Sequence, residues 1–219
     1  MGEQDSVIIR VYEKKDRESV RRICCDTAYK GAPVENFFFD REVFSDAVTR
    51  YYTDFEPGSL WIAEKDGEVA GYLTGCLDTR RYLGLMKSRI MPAVLLRSLL
   101  RGVFLRRQTY RLLASLFKSA RRGGFRRDTP LDEYPAHLHI DIDRRFRRLA
   151  MGEMLMLKFL EQARSRGVKG VHLTAVEDNY GARAFFEKSG FTVLKSYPIT
   201  MLSGTVFENN HSVVYAKKL

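Results

Sequence analysis

Polar and apolar residues alternate over residues 137–143 (HLHIDID), and a period of two is the signature of a half-buried strand. Leu138, Ile140 and Ile142 share one face of that strand, and His137, His139, Asp141 and Asp143 share the other. Short β-branched or alternating runs at 7–12, 60–64, 68–77, 169–176, 190–196 and 212–216 predict six more strands. Two of them flank Lys65-Asp66-Gly67, a hairpin turn. Helical spacing of apolar residues marks 13–30, 40–55, 150–166 and 179–188, with Asp40 as an N-cap for the second and Gly167 stopping the third. Two further helical stretches are expected near 90–105 and 108–119. Leu95, Leu96, Leu99, Leu100, Val103 and Phe104 form the stripe of the first, with Arg97 and Arg101 elsewhere on the wheel. The order is βααββ, an insertion, then βαβαββ. It predicts one α/β domain over 1–219, a mixed central sheet flanked by helices, with a helical insertion at 78–133 between strands 3 and 4.

Composition changes this picture in one place. At 45% apolar and 29% charged the chain is an ordinary globular domain. The formal charge of +10, however, sits entirely in the insertion, where 14 Lys and Arg face 4 Asp and Glu. The remainder is neutral, so the basic balance describes one segment and not a nucleic-acid-binding domain as a whole. The 3 cysteines form no C-x-x-C pair, which points to a reducing compartment. The longest apolar run, 90–96, contains Pro92 and falls far short of the roughly 20 residues of a membrane span. With a polar, acidic start to the chain, a cytoplasmic location is expected.

The chemistry concentrates at 141–152, where a strand ends, a turn rich in arginine follows, and a helix opens on small residues. The first amides of a helix are unpaired and carry the positive end of its dipole. Small side chains let a phosphate reach those amides, and arginines add charge-assisted hydrogen bonds. Residue types alone therefore predict an anion site, with a turn that is merely close-packed as the bland alternative.

Arg147-x-x-Ala150-x-Gly152 resembles the Q/R-x-x-G-x-G/A acetyl-CoA signature of the GNAT superfamily of N-acetyltransferases. Asn179-Tyr-Gly-Ala182-Arg-Ala-Phe185-Phe186-Glu187-Lys188-Ser-Gly190-Phe191 is similar to that family's N-x-x-A-x-x-F-Y-E-K-x-G-F stretch. The likeness is good over 134–219, loose over 5–77, and absent from the insertion. The lead-in at 134–139 also resembles the acetyltransferase-like domain of O-GlcNAcases and bacterial relatives.

The resemblance implies a GNAT fold and transfer of acetyl from acetyl-CoA to a primary amine by direct attack in a ternary complex. It implies that the strand through Ile140, Ile142 and Asp143 faces pantetheine. The amides of Leu149, Ala150, Met151 and Gly152, with Arg147 and Arg148, would take the diphosphate. Asn179 would bond pantetheine, and Phe186 would lie beside the thioester. Phe186 occupies the place of a tyrosine that protonates the departing thiolate in many relatives, which leaves Tyr180 or Tyr215 as candidates. Ala150 replaces a glycine.

An attacking amine must lose a proton, and a carboxylate or imidazole within reach can take it. Asp141 is read as the base, with His139 as the alternative. His137-x-His139 has no third His or Cys nearby, so no metal is expected. The insertion admits several readings: a solvated helical subdomain or dimer contact, a lid whose arginines attract an acidic acceptor, or a surface for membrane headgroups or nucleic acid. No RNA motif accompanies it. The rival to an enzyme is a non-catalytic GNAT-like module that holds an anionic partner through these helices. Either would be a monomer or a homodimer.

Overall fold

The computed structural model describes residues 7–105, 109, 129–199 and 210–219. The helix expected near 108–119 lies, apart from Thr109, outside the described residues. Strand β1 (Val7–Val11) leads to helix α1 (Arg17–Thr27), which buries Val20, Ile23 and Cys24. Helix α2 (Arg41–Asp54) opens as its sequence predicts, with the Asp40 carboxylate accepting from the Val43 amide at 3.0 Å. Strands β2 (Leu60–Lys65) and β3 (Glu68–Cys76) form the hairpin. Asp66 and Gly67, both at positive φ, make the turn, which explains why an Asp-Gly pair stands there.

Asp78 then caps a helix the sequence reading did not anticipate, α3 (Thr79–Leu85), by accepting from the Arg80 and Arg81 amides. A π turn (Met86–Ile90) joins it to α4 (Met91–Leu100), where Pro92 has no N–H to continue a regular ladder. The second half of the chain supplies β4 (Ala136–Ile142), α5 (Met151–Ser165), β5 (Gly170–Val176), α6 (Tyr180–Lys188), β6 (Thr192–Pro198) and β7 (His211–Lys218).

The seven strands run in the order β1-β2-β3-β4-β5-β7-β6, and every neighbouring pair is antiparallel except β4 with β5. One core lies under α5, where Met151, Leu155 and Phe159 meet Leu73, Leu138 and Val171. On the opposite face, Val20, Ile23 and Tyr51 pack with Leu60, Ile62 and Tyr72. The alternation in β4 sorts as predicted: Leu138 joins the α5 core, while His137 bonds Tyr52 and Thr79 at 2.9 and 2.8 Å.

The insertion departs from expectation. On α4 it is the arginines that face inward. Arg97 pairs with Glu42 at 2.8 Å and with Asp46, and Arg101 reaches Asp40 at 2.7 Å. The Asp46 carboxylate is buried against the Arg21 guanidinium, and Arg97 adds a second partner for it from α4. The leucines of the stripe are left outside. Among the described residues no helix is long and apolar enough to cross a membrane.

Candidate active site

Strands β4 and β5 pair only at Ala136–Val171 and His137–His172 and then part. Strand β3 stays paired with β4 from Cys76–His137 to Gly71–Ile142, so beyond His137 the other edge of β4 has no strand beside it among the described residues. A parallel pair that splays leaves backbone amides and carbonyls open to an extended, amide-bearing ligand, as an added strand would use them. One of these carbonyls, that of Ile142, already accepts from Arg147 Nε at 3.3 Å.

A cavity of about 820 Å³ fills the gap, within the range of small-molecule sites. Its walls combine four separate stretches of chain: Ile140 to Ile142, Phe146 to Glu153, Asn179 to Lys188, and Thr27 to Gly31. The helix α5 begins in this wall without a side-chain cap, because Ala150 occupies the N-cap position and has no acceptor to offer. Its first amides are therefore available to an anion. Arg147 and Arg148 lie beside them in the lining. The turn reaches the helix through two left-handed residues, Arg148 at φ 70° and Ala150 at φ 57°. A glycine at 150 would adopt that backbone without strain, which is the physical reason the resembling motif has one there. Alanine costs about 1 kcal/mol.

Of the residues expected to hold a cofactor, Ile140, Ile142, Arg147, Arg148, Ala150, Met151, Gly152, Asn179 and Phe186 all line this cavity. Leu149 does not, and is partly exposed. Asp143 is also outside it. This carboxylate accepts from the Arg145 side chain and amide and from Arg22, which hold it well below the usual carboxylate range. Its place is in the scaffold of the arginine turn. Asn179 lines the cavity and also N-caps α6, accepting from the Ala182 amide at 3.3 Å. Asp178, the residue before it and also a good cap by type, pairs with Lys30.

Tyr180 is 74% exposed at the start of α6 and is not part of the lining. The Tyr215 hydroxyl is held between Arg183, from which it accepts at 3.0 Å, and Glu187, to which it donates at 2.8 Å. The structure therefore brings neither tyrosine into the cavity.

Sequence reasoning missed the contribution of the α1 end. Gly31, at φ 82°, lies so close to the Arg147 guanidinium that a Cβ there would come within 2.6 Å of it. Lys30 shares that wall. The only signal was Gly31-Ala32-Pro33, which reads as a helix stop and says nothing of a residue more than a hundred positions away. Tyr72 was missed too, and it donates to Asp141 at 2.6 Å.

Asp141 lines the cavity and is largely enclosed, whereas His139, one step along the same face, is half exposed and meets Asp141 through Nε2 at 3.1 Å. Burial resists the Asp141 charge. The charge and hydrogen bond of His139, with bonds from Tyr72 and Thr27, outweigh it and hold the carboxyl below its ordinary value. The Asp141 charge in turn raises His139 above its ordinary 6.5, against the effect of burial.

Residues 110–191 match the model of the acetyltransferase (GNAT) family. The crystal structure of SsHAT superposes with a TM-score of 0.73 at 27% identity, covering 97% of this chain and 98% of that one. An N-acetyltransferase from Staphylococcus aureus Mu50 gives 0.60 at 12% identity over 97% and 98% of the two chains. The protein yncA from Salmonella typhimurium, solved with its cofactor acetyl-CoA, gives 0.59 at 14% over 97% and 94%. The last two likenesses are of fold. No curated protein matches by sequence. Residues 110–191 are thus similar to the acetyltransferase (GNAT) family, and the fold over nearly the whole chain is similar to that of the SsHAT structure.

Proposed function

We propose that the protein moves acetyl from acetyl-CoA to a primary amine within a ternary complex. The observation that carries this reading is the splay of β4 from β5 above an uncapped helix N-terminus flanked by Arg147 and Arg148. Bound acetyl-CoA supplies the acetyl group as an activated thioester. The amides of Met151 and Gly152 and the two arginines would take its diphosphate, and the open edge of β4 near Ile140 would pair with its pantetheine amides. Phe186 and Phe185 would exclude water from the thioester end.

We read His139 as proton acceptor and Asp141 as its positioning partner, the reverse of the order expected from sequence: Asp141 lines the cavity, and His139 stands just outside that lining, bonded to its carboxylate. A carboxylate held below its ordinary pKa is a weak base at neutral pH. An imidazole raised above 6.5 is matched to that pH and is the more exposed of the two. No covalent acyl-enzyme is invoked. Burial raises the Cys25 and Cys76 thiols to about 11 and 12 and pushes the Cys24 thiol up as well, and none of the three lines the cavity.

Release of free CoA thiol from acetyl-CoA, followed against a panel of polyamines, amino sugars and lysine or α-amino peptides, tests the proposal. At least one amine is expected to raise thiol release well above hydrolysis, with mass spectrometry showing the acetylated amine. Thiol release that no amine accelerates would contradict it.

A further inference from the structure

Tyr72 is fully buried in the middle of β3, directly across from Asp141 on β4, in the core that α1 and α2 form with Ile23 and Ile62. A phenylalanine ring would fill that space equally well, so the hydroxyl is what this position adds. It donates to Asp141 Oδ2 at 2.6 Å, and His139 Nε2 meets the same oxygen at 3.1 Å. Burial pushes the phenol well above its ordinary pKa, which keeps it protonated and able to donate. The Cys24 thiol meets this hydroxyl from α1, and Thr27 adds a bond to Asp141. A carboxylate gripped by a donor that the core holds rigid cannot turn away from the imidazole.

An imidazole that gives its Nε2–H to a carboxylate carries its lone pair on Nδ1 when neutral. Two donors on one oxygen also divide its charge, so the phenol weakens the hold of that oxygen on the His139 proton. We infer that Tyr72 is a positioning residue: its hydroxyl fixes the Asp141 carboxylate against His139 Nε2 and leaves Nδ1 as the atom that takes the proton of the amine. The inference rests on the acetyl-transfer reading. As the amine nitrogen bonds the acetyl carbon, its proton passes to Nδ1, and the C–S bond breaks to release CoA as the thiolate.

The test follows the His139 ring through its titration by NMR in the free protein, its resonance assigned by loss in His139→Ala. The groups that face the pair are Tyr72 and Thr74 from β3, Cys24 and Thr27 from α1, and Lys30 beyond the end of α1. Tyr72→Phe should raise the midpoint by roughly half a pH unit, because Asp141 Oδ2 then turns its whole charge to the imidazole. A hydroxyl that only satisfies the core would leave the midpoint in place. Turnover should fall roughly tenfold at neutral pH, part of what a general base contributes, with the KM for acetyl-CoA unchanged. Should the phenylalanine variant not fold, 3-fluorotyrosine at position 72 carries the test, since it is the stronger donor and should lower the midpoint instead. An unmoved midpoint, or unchanged turnover in an active enzyme, would overturn the inference. The titration needs no acceptor, so a shifted midpoint in a protein that acetylates no amine would sink the acetyl-transfer reading and keep the grip of Tyr72 on the pair.

Discussion

Replacing Gly152 with aspartate is expected to weaken acetyl-CoA binding by roughly a hundredfold or more while leaving the fold as stable as before, or slightly more so. Gly152 is the second residue of α5, and a Cβ there would make ordinary contact with Phe185 at 3.4 Å, so the substitution is accommodated. A carboxylate in the first turn suits the helix dipole and offers an acceptor to amides that Ala150 leaves uncapped. It occupies the place that a diphosphate must take. Two like charges about 4 Å apart repel by about 4 kcal/mol at the effective dielectric of a protein surface, and each 1.4 kcal/mol is tenfold in affinity. Calorimetric titration gives the affinity and a thermal melt gives the stability. Wild-type affinity in this variant would mean that the turn does not hold the anion.

The second large effect concerns the proton. Removing His139 as alanine should lower the turnover rate by roughly 100- to 10,000-fold at neutral pH, with the KM for acetyl-CoA unchanged. The deficit should narrow at high pH, where free amine no longer needs a base. In the parent protein the rate should rise with pH as His139 loses its proton, with a midpoint above the ordinary 6.5 because Asp141 raises it. Asp141→Asn removes that charge, so the midpoint should fall and the rate drop less than in the alanine variant. The sign for stability is opposite. Protonated His139 stabilises the fold fully below 6.5, and that contribution fades as pH climbs through the raised value. If Asp141 itself takes the proton, Asp141→Asn will be the more damaged variant and His139→Ala will keep most of its rate.

What the sequence carried locally was legible, and what depended on distant partners was not. The β4 alternation placed His139 and Asp141 on one face because side-chain direction in a strand follows position alone. Ala150-x-Gly152 marked the uncapped start of α5 in the cavity wall because small residues at a helix start have a local meaning. The role of Thr27, Lys30 and Gly31 was invisible, since only the fold brings the end of α1 against Arg147. Asp178 and Asn179 are both good caps, and the choice fell to Asn179 once Lys30 claimed Asp178. The leucines of α4 misled for a related reason. Helical spacing reports a stripe without saying which side is buried, and here Arg97 and Arg101 pair with Asp40, Glu42 and Asp46 while the leucines face out.

A cradle for diphosphate at the start of α5 is put to the test by titrating the protein with acetyl-CoA and with S-acetylpantetheine, which lacks the diphosphate and the nucleotide beyond it. One acetyl-CoA is expected to bind per chain, with the truncated thioester at least roughly a hundredfold weaker through loss of its charge-assisted hydrogen bonds. Equal affinities for the two ligands, or no binding of acetyl-CoA at millimolar concentration, would contradict it.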